Sequence, residues 1–294
     1  MVIGPGTRLA TLIGDPVGHS LSPAIHNAAY GIQGVDAVYL SMRVPIGQLR
    51  DAVVGLKAMG VMGINVTIPH KRSVVELLDE VRADAQAIGA VNTIVLKDDG
   101  NGSTRLIGEN TDVGGFIAPL AALRESIRDK SAVILGAGGA ARAVLYACHT
   151  SLRPSKVTVV ARKPARAQQM IDALAQYSPE KMVSVLPFDD ARGAVLEAKL
   201  IVNTTPVGTY PGVHATPWMH VDSFRPGQVV YDVVYNPVET RFLRDAQSRG
   251  ATVLNGMEML LAQASAAHTL WTGLRMPIDE VRETVLGQRR DQPI

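Results

Sequence analysis

The chain is short of cysteine, of aromatic residues and of charge of one sign. Its single cysteine, Cys148, excludes an internal disulfide and any zinc site built from several thiolates. The seven histidines show no H-E-x-x-H or comparable ligand spacing, so no metal is expected. Aromatics make up only 4% of the 294 residues, so core volume has to come from Ala, Val, Leu, Ile and Met. Lys+Arg 29 against Asp+Glu 27 leaves a net charge of +2, with no run of five like charges. A nucleic-acid protein usually carries a basic stripe interleaved with aromatics, and none is visible. No stretch of 18 apolar residues exists; the most apolar late segment, 253–274, is interrupted by Glu258, Gln263 and His268. The N-terminal segment has no basic region followed by a long apolar run, and Asp15 comes too early for a secretory signal. The expectation is a soluble, cytoplasmic protein with no nucleic-acid or membrane partner.

What is present points to an α/β protein. Hydrophobic residues at 47% against 19% charged supply enough apolar surface to offset the ordering entropy of a folded chain. The length suits two domains or one large one. Apolar runs alternate with helical patterns. Leu9–Ile13 reads as a strand stopping at Gly14-Asp15-Pro16, followed by a helix from Pro23 to Tyr30 with Ser22 as its N-cap. Strands are expected at Val38–Val44 and Gly63–Ile68, and helices at Gly47–Met59 and from Ser73 to Ile88. Ala90–Lys97 and Thr104–Gly108 flank the turn Asp98-Asp99-Gly100-Asn101-Gly102 and read as a hairpin, the antiparallel part of a mostly parallel sheet. After Asp112-Val113-Gly114-Gly115 the pattern restarts. A helix from Gly115 to Ile127 leads to a strand at Ser131–Leu135, a glycine-rich turn and a helix reaching His149. Further strands are expected at Lys156–Ala161, Val183–Pro187, Leu200–Asn203 and Val229–Val233, and helices at Pro164–Leu174, Gly256–Leu274 and Ile278–Gln288.

Five segments carry chemistry. Gly136-Ala137-Gly138-Gly139-Ala140-Ala141 fits G-x-G-x-x-A between a strand and a helix, the context in which glycines let a pyrophosphate approach a helix N-terminus. The same letters also occur in ordinary glycine-rich turns. An NAD site usually places Asp or Glu about 20 residues further on, to hold the ribose 2′-hydroxyl. Here Ala161-Arg162-Lys163-Pro164-Ala165-Arg166 has three cations and no acid, which suits a 2′-phosphate and favours NADP. Ser20 and Ser22 could bind a small carboxylate beside the following helix, or serve only as turn and cap residues. In Asn65-Val66-Thr67-Ile68-Pro69-His70-Lys71, Asn65 and Thr67 share one strand face. Lys71 follows at the strand's carboxyl end, either in a ligand crevice or as an exposed helix-start lysine. Asn110-Thr111-Asp112 stands at the junction of the two patterns. Cys148, on the helix after the glycine loop, reads as buried packing.

Together, G-D-P-V-G-H-S-L-S-P (14–23), N-V-T-I-P-H-K (65–71), G-A-V-N-T (89–93), G-E-N-T-D (108–112), G-A-G-G-A-A (136–141), N-T-T-P-V-G (203–208), D-V-V-Y-N-P (232–237) and G-M-E-M-L-L-A-Q (256–263) occur in the order found in shikimate dehydrogenases, and the chain resembles that family from about Leu9 to Leu274. The resemblance implies a two-domain α/β fold. An N-terminal, mostly parallel substrate domain, 1–113 completed by C-terminal helices 256–294, joins a Rossmann NADP-binding domain, 114–255, with the active site in the cleft between them. It also implies roles. Lys71 and Asp112 match the catalytic pair. Ser20, Ser22 and Tyr235 would hold the carboxylate of shikimate, and Asn65, Thr67, Asn92 and Gln263 its ring hydroxyls. Gly136, Ala137, Gly138, Gly139, Ala140, Ala141, Ala161, Arg162, Lys163 and Arg166 match cofactor positions, with Val233 and Gly256 at the nicotinamide end. Two positions depart from the pattern: Ala161 replaces the usual asparagine, and Glu109 stands where members vary. The activity implied is reversible NADPH-dependent reduction of 3-dehydroshikimate, in aromatic amino acid biosynthesis, by a monomer or homodimer. A quinate/shikimate dehydrogenase using NAD is one alternative, argued against by the cations at 162–166. A non-catalytic ligand sensor is another, argued against by the presence of both Lys71 and Asp112.

Overall fold

The structure, a computed structural model, describes residues 3–175 and 182–290. The chain forms two compact units, Met1–Thr111 with Leu261–Ile294, and Asp112–Leu260.

In the first unit the order is β1 (Arg8–Gly14), α1 (Ser22–Gln33), β2 (Ala37–Arg43), α2 (Leu49–Ala58), β3 (Gly63–Val66), a 3₁₀ turn (Ser73–Leu77), β4 (Glu80–Val81), α3 (Ala83–Ile88), β5 (Thr93–Asp98) and β6 (Thr104–Glu109). The strands form one sheet, β2-β1-β3-β5-β6-β4. β1 pairs in parallel with β2 and β3, while β5 runs antiparallel to both β3 and β6. Because both faces are covered, β1 is apolar through its buried length except for Thr11, whose hydroxyl donates to the Leu40 carbonyl at 2.9 Å. Ile13 packs with Val53, Leu56 and Ile64 on one side, and Leu12 with Tyr30, Tyr39, Ala267 and Trp271 on the other. Gly63 has no room for a side chain: a Cβ there would enter the Trp271 indole, whose Nε1 donates to the Ile94 carbonyl at 3.1 Å. α1 stops at Gly34, in the left-handed region at φ 66°, whose amide caps Gly31 and Tyr30.

The second unit contains α4 (Asp112–Ile117), a 3₁₀ turn (Ala118–Leu123), α5 (Arg124–Ile127), β7 (Ser131–Leu135), α6 (Gly139–Ala147), a π turn (Cys148–Leu152), β8 (Lys156–Val160), α7 (Pro164–Leu174), β9 (Met182–Leu186), α8 (Arg192–Glu197), β10 (Leu200–Asn203), β11 (Val229–Asp232), α9 (Arg241–Gln247) and β12 (Thr252–Leu254). Its sheet is parallel throughout, in the order β12-β11-β10-β7-β8-β9. Counted from β7 this is 3-2-1-4-5-6, the Rossmann order, with its switch point between β7 and β10. α10 (Gly256–Thr272) runs from this unit into the first, and α11 (Ile278–Arg290) follows it. Cys148 is buried, and no helix among the described residues is long and apolar enough to cross a membrane.

Four local expectations are corrected. Ser22 lies inside α1 and Leu21 is the N-cap; the Ser22 amide is taken instead by Ser20 Oγ at 3.2 Å. The third strand ends at Val66, short of Ile68, because Pro69 has no amide to extend the ladder. The helix expected from Ser73 to Ile88 is broken at Asp79, which trades bonds with Leu106 and sends Glu80–Val81 into the sheet beside β6. The helix expected from Gly115 to Ile127 starts at Asp112 and is interrupted by a 3₁₀ turn opening next to Pro119, which lacks a donor.

Candidate active site

In the first unit the site is built at the carboxyl ends of β1 and β3. Gly14 closes β1, and a Cβ there would lie 2.8 Å from the Ile68 carbonyl, so the two strand ends meet backbone to backbone. Thr67 N donates to Ile13 O at 2.9 Å and Asp15 N to Ile68 O at 2.8 Å. Arg43 grips Asp15 through two bonds, Nε to Oδ1 at 2.8 Å and Nη2 to Oδ2 at 3.3 Å, and holds its carboxyl below the usual range. The buried His70 ring bonds the Val44 carbonyl at 2.7 Å, anchoring the turn that presents Lys71. The Lys71 carbonyl in turn accepts from Val91 N at 2.8 Å, which lays the lysine's backbone beside Asn92.

From these strand ends a continuous line of hydrogen bonds crosses the unit. Ser20 Oγ donates to Ser22 Oγ at 3.2 Å, and Ser22 bonds the Tyr39 hydroxyl. Tyr39 donates to Asn65 Oδ1 at 2.8 Å. Asn65 Nδ2 donates to Thr93 Oγ1 at 3.0 Å and to the Asn92 carbonyl at 3.2 Å. Thr93 donates to Asn92 Oδ1 at 3.1 Å. Asn92 Nδ2 then donates to Thr111 Oγ1 at 3.0 Å and to Gln263 Oε1 at 3.1 Å. Five of the seven residues expected at the substrate, Ser20, Ser22, Asn65, Asn92 and Gln263, therefore stand on one network, although they come from widely separated parts of the chain. Thr67 follows the last residue of β3, with its amide on the Ile13 carbonyl, and Tyr235 belongs to the second unit. Three further residues join the network: Tyr39 and Thr93, which were not singled out from the sequence, and Thr111, named there only within the Asn110-Thr111-Asp112 junction. Thr93 and Thr111 stand inside the quoted motifs, whereas nothing in the β2 pattern marks Tyr39. Burial drives the Tyr39 hydroxyl well above the usual phenol range, so it stays a neutral donor. Burial also raises the Glu109 carboxyl, against the opposing pull of Arg82.

In the second unit Asp112 is buried at the first position of α4. The glycine loop follows β7. Gly136 sits at φ 112°, where a side chain is strained, and a Cβ would come within 2.6 Å of Thr204 Oγ1. Gly138 differs: its φ is −94° and nothing lies within 4 Å of where a Cβ would be, so the loop leaves open space there. Gly139 opens α6, and Ala140 and Ala141 belong to its first turn, with Ala141 fully buried. Ala137 lies between the two glycines. At the end of β8, Ala161 is buried, while Arg162, Lys163 and Arg166 are exposed and pair with no carboxylate among the described residues. Val233 and Gly256 touch: a Cβ on Gly256 would strike the Val233 carbonyl. Among the described residues no three His, Cys, Asp or Glu side chains gather to hold a metal ion.

Comparison with known proteins gives matches at both ends of the chain. Residues 12–94 match the shikimate dehydrogenase substrate binding domain, and residues 256–286 the shikimate 5′-dehydrogenase C-terminal domain. A shikimate dehydrogenase (NADP(+)) of Salinibacter ruber is 45% identical over 279 residues, 94% of this chain and 96% of the relative. The crystal structure of shikimate 5-dehydrogenase from Thermus thermophilus, in complex with NADP(H) and shikimate, superposes with a TM-score of 0.81 at 35% identity, covering 97% of this chain and 100% of that one. A quinate dehydrogenase from Corynebacterium glutamicum in complex with NAD superposes at 0.85 with 33% identity, covering 96% and 99%.

Proposed function

As the chain belongs to the shikimate dehydrogenase family, we propose that it catalyses the reversible NADPH-dependent reduction of 3-dehydroshikimate to shikimate in aromatic amino acid biosynthesis. We place it in the cytoplasm, as a monomer or homodimer. The unit around β1 and β3 takes the substrate, and the Rossmann unit the cofactor. The observation that carries the substrate reading is the single hydrogen-bonded line from Ser20 to Gln263, which gathers donors and acceptors suited to a small polyhydroxy acid.

The residues present fit NADP. The glycine loop leaves open space at Gly138, at the mouth of α6, where a pyrophosphate is stabilised by backbone amides. Arg162, Lys163 and Arg166 offer cations for a 2′-phosphate, and no acid stands there for a ribose diol. When bound, NADPH supplies the hydride for the carbonyl carbon. Lys71 gives the carbonyl oxygen its proton on reduction and takes it back on oxidation. Asp112 accepts a hydrogen bond from the same hydroxyl and orients it. Ser20, Ser22 and Tyr235 bind the carboxylate. Thr67 and Gln263 contact the ring hydroxyls directly. Asn65 and Asn92 commit amide hydrogens to the network, and the Asn65 oxygen, with one bond from Tyr39, has a second lone pair for a ring hydroxyl.

Lys71→Ala is expected to lower kcat by about 10²–10⁴, the usual worth of a positioned acid–base group, with shikimate affinity much less affected. Asp112→Asn should behave similarly. Steady-state kinetics with a shikimate titration of each variant checks this. A folded Lys71→Ala protein with near-normal kcat removes the lysine from the chemistry.

A further inference from the structure

The second unit contains a buried carboxylate with no part in the scheme above. Asp232 is the last residue of β11 and lies in register with Asn203, the last of β10, which in turn faces Leu135, the last of β7. It is fully buried. Its Oδ1 accepts from Asn203 Nδ2 at 2.9 Å and from the Val234 amide at 3.0 Å, and its Oδ2 accepts from Thr240 Oγ1 at 2.7 Å. Three segments therefore close on one carboxylate at the carboxyl edge of the sheet.

Two of these bonds, those from Asn203 and from Val234, lead to places where the cofactor is expected. Asn203 Oδ1 accepts from Thr205 N at 2.9 Å and from Thr205 Oγ1 at 2.7 Å. The Thr204–Thr205 pair it holds is the wall against which Gly136 packs, with Thr204 Oγ1 donating to the Leu135 carbonyl at 2.7 Å. On the other side, Val233 N donates to the Asn203 carbonyl at 3.0 Å, and Gly256 N to the Val234 carbonyl at 3.1 Å. The Val233–Val234 backbone is thus fixed between Asp232, Asn203 and the start of α10. We propose that Asp232 is a positioning residue for the nicotinamide half of bound NADP, setting the Val233–Val234 backbone at the start of α10. The inference rests on the cofactor reading above.

An ionised aspartate is a costly choice for a purely structural tie. Burial pushes this carboxyl up to about 6, even though Thr240, Val234 and Asn203 all favour its charged form. None of these three groups titrates. Asparagine would fill the same volume without a buried charge, but would offer one acceptor oxygen in place of two.

The test compares the binding of two ligands to Asp232→Asn protein by calorimetry: NADP⁺, and adenosine 2′,5′-bisphosphate, which keeps the 2′-phosphate end and lacks nicotinamide. The expected result is a loss of about tenfold in NADP⁺ affinity, about 1.4 kcal/mol of lost preorganisation, with bisphosphate affinity within about twofold of wild type. A purely structural role weakens both ligands alike or neither. If the NADP⁺ loss exceeds the bisphosphate loss by less than about threefold, the inference is overturned. Thr240→Val, which removes a donor and keeps the carboxylate, provides the same ratio should Asp232→Asn fail to fold. Wild-type protein that binds neither ligand sinks the cofactor reading itself, and this inference with it.

Discussion

On the proposed reading, cofactor choice rests on a few exposed side chains. Arg162, Lys163 and Arg166 follow β8 without a carboxylate partner among the described residues, in the position where an NAD site usually presents an acid. A charge-assisted pair to a phosphate contributes about 1.5–3 kcal/mol. Arg162→Asp with Arg166→Ala removes such pairs, adds repulsion and installs a diol acceptor. NADP⁺ efficiency should fall at least about 10²-fold, mainly in KM, because the adenosine end is remote from the chemistry. NAD⁺ efficiency should stay level or rise. Kinetics with both cofactors at saturating shikimate check this; equal losses would assign the arginines to the fold or the adenine face. Ala161 offers only its buried backbone at this point, with its amide donating to the Leu186 carbonyl at 3.1 Å.

The glycine loop shows how an element divides its work between residues of one type. Gly136 is needed by the fold, through its positive φ and its contact with Thr204; Gly138 has an ordinary backbone and open space around it. Gly138→Ala should therefore leave stability within about 0.5 kcal/mol, as surface changes usually do, while a methyl group in the path of the pyrophosphate weakens NADP⁺ binding by about tenfold or more. Thermal unfolding paired with a cofactor titration separates the two effects, and parallel losses would mean that Gly138 is also structural. This loop, with β7 before it and α6 after it, was legible in the sequence because strand, glycines and helix are contiguous. So were β1, the β5–β6 hairpin and α10, each marked by an apolar run or a clear turn. Elements created by tertiary pairing were not legible. β4 exists because Asp79 locks onto Leu106, and β12 is a three-residue edge beside β11. At the candidate site, the motifs pointed to Ser20, Ser22, Asn65, Asn92 and Gln263, but local pattern carries no record of the cross-strand bonds through Tyr39 and Thr93 that unite them.

At the scale of the whole molecule, acid stability depends on buried groups with opposite signs. His26 is stacked on Tyr39 at a centroid distance of 4.3 Å, and its ring nitrogens have no hydrogen-bond partner among the described residues. Burial, with help from His268, lowers its pKa to about 3. The unfolded chain takes up this proton near pH ~6.5, so stability is lost as the pH falls from there toward 3, by ~1.4 kcal/mol per pH unit. Asp232 acts the other way: with its folded pKa raised to about 6, acidification from 6 toward 4 strengthens the fold. Removing the histidine removes the first trend and leaves the second in place. Between pH 6.5 and 4.5 the wild type should lose about 2–3 kcal/mol relative to His26→Phe, read by urea unfolding at both pH values. Identical pH slopes would show that the His26 ring takes up a proton in the folded state as readily as in the unfolded chain.

The substrate network and the cation-flanked glycine loop meet in one assay: shikimate or quinate, each crossed with NADP⁺ or NAD⁺, followed by the absorbance of the reduced nicotinamide. The pair of shikimate with NADP⁺ should give the highest kcat/KM, exceeding shikimate with NAD⁺ by at least about 10²-fold, the discrimination that a paired 2′-phosphate supplies. Equal or better turnover with NAD⁺, a preference for quinate, or no turnover with any pair would contradict the assignment of this chain as an NADP-dependent shikimate dehydrogenase.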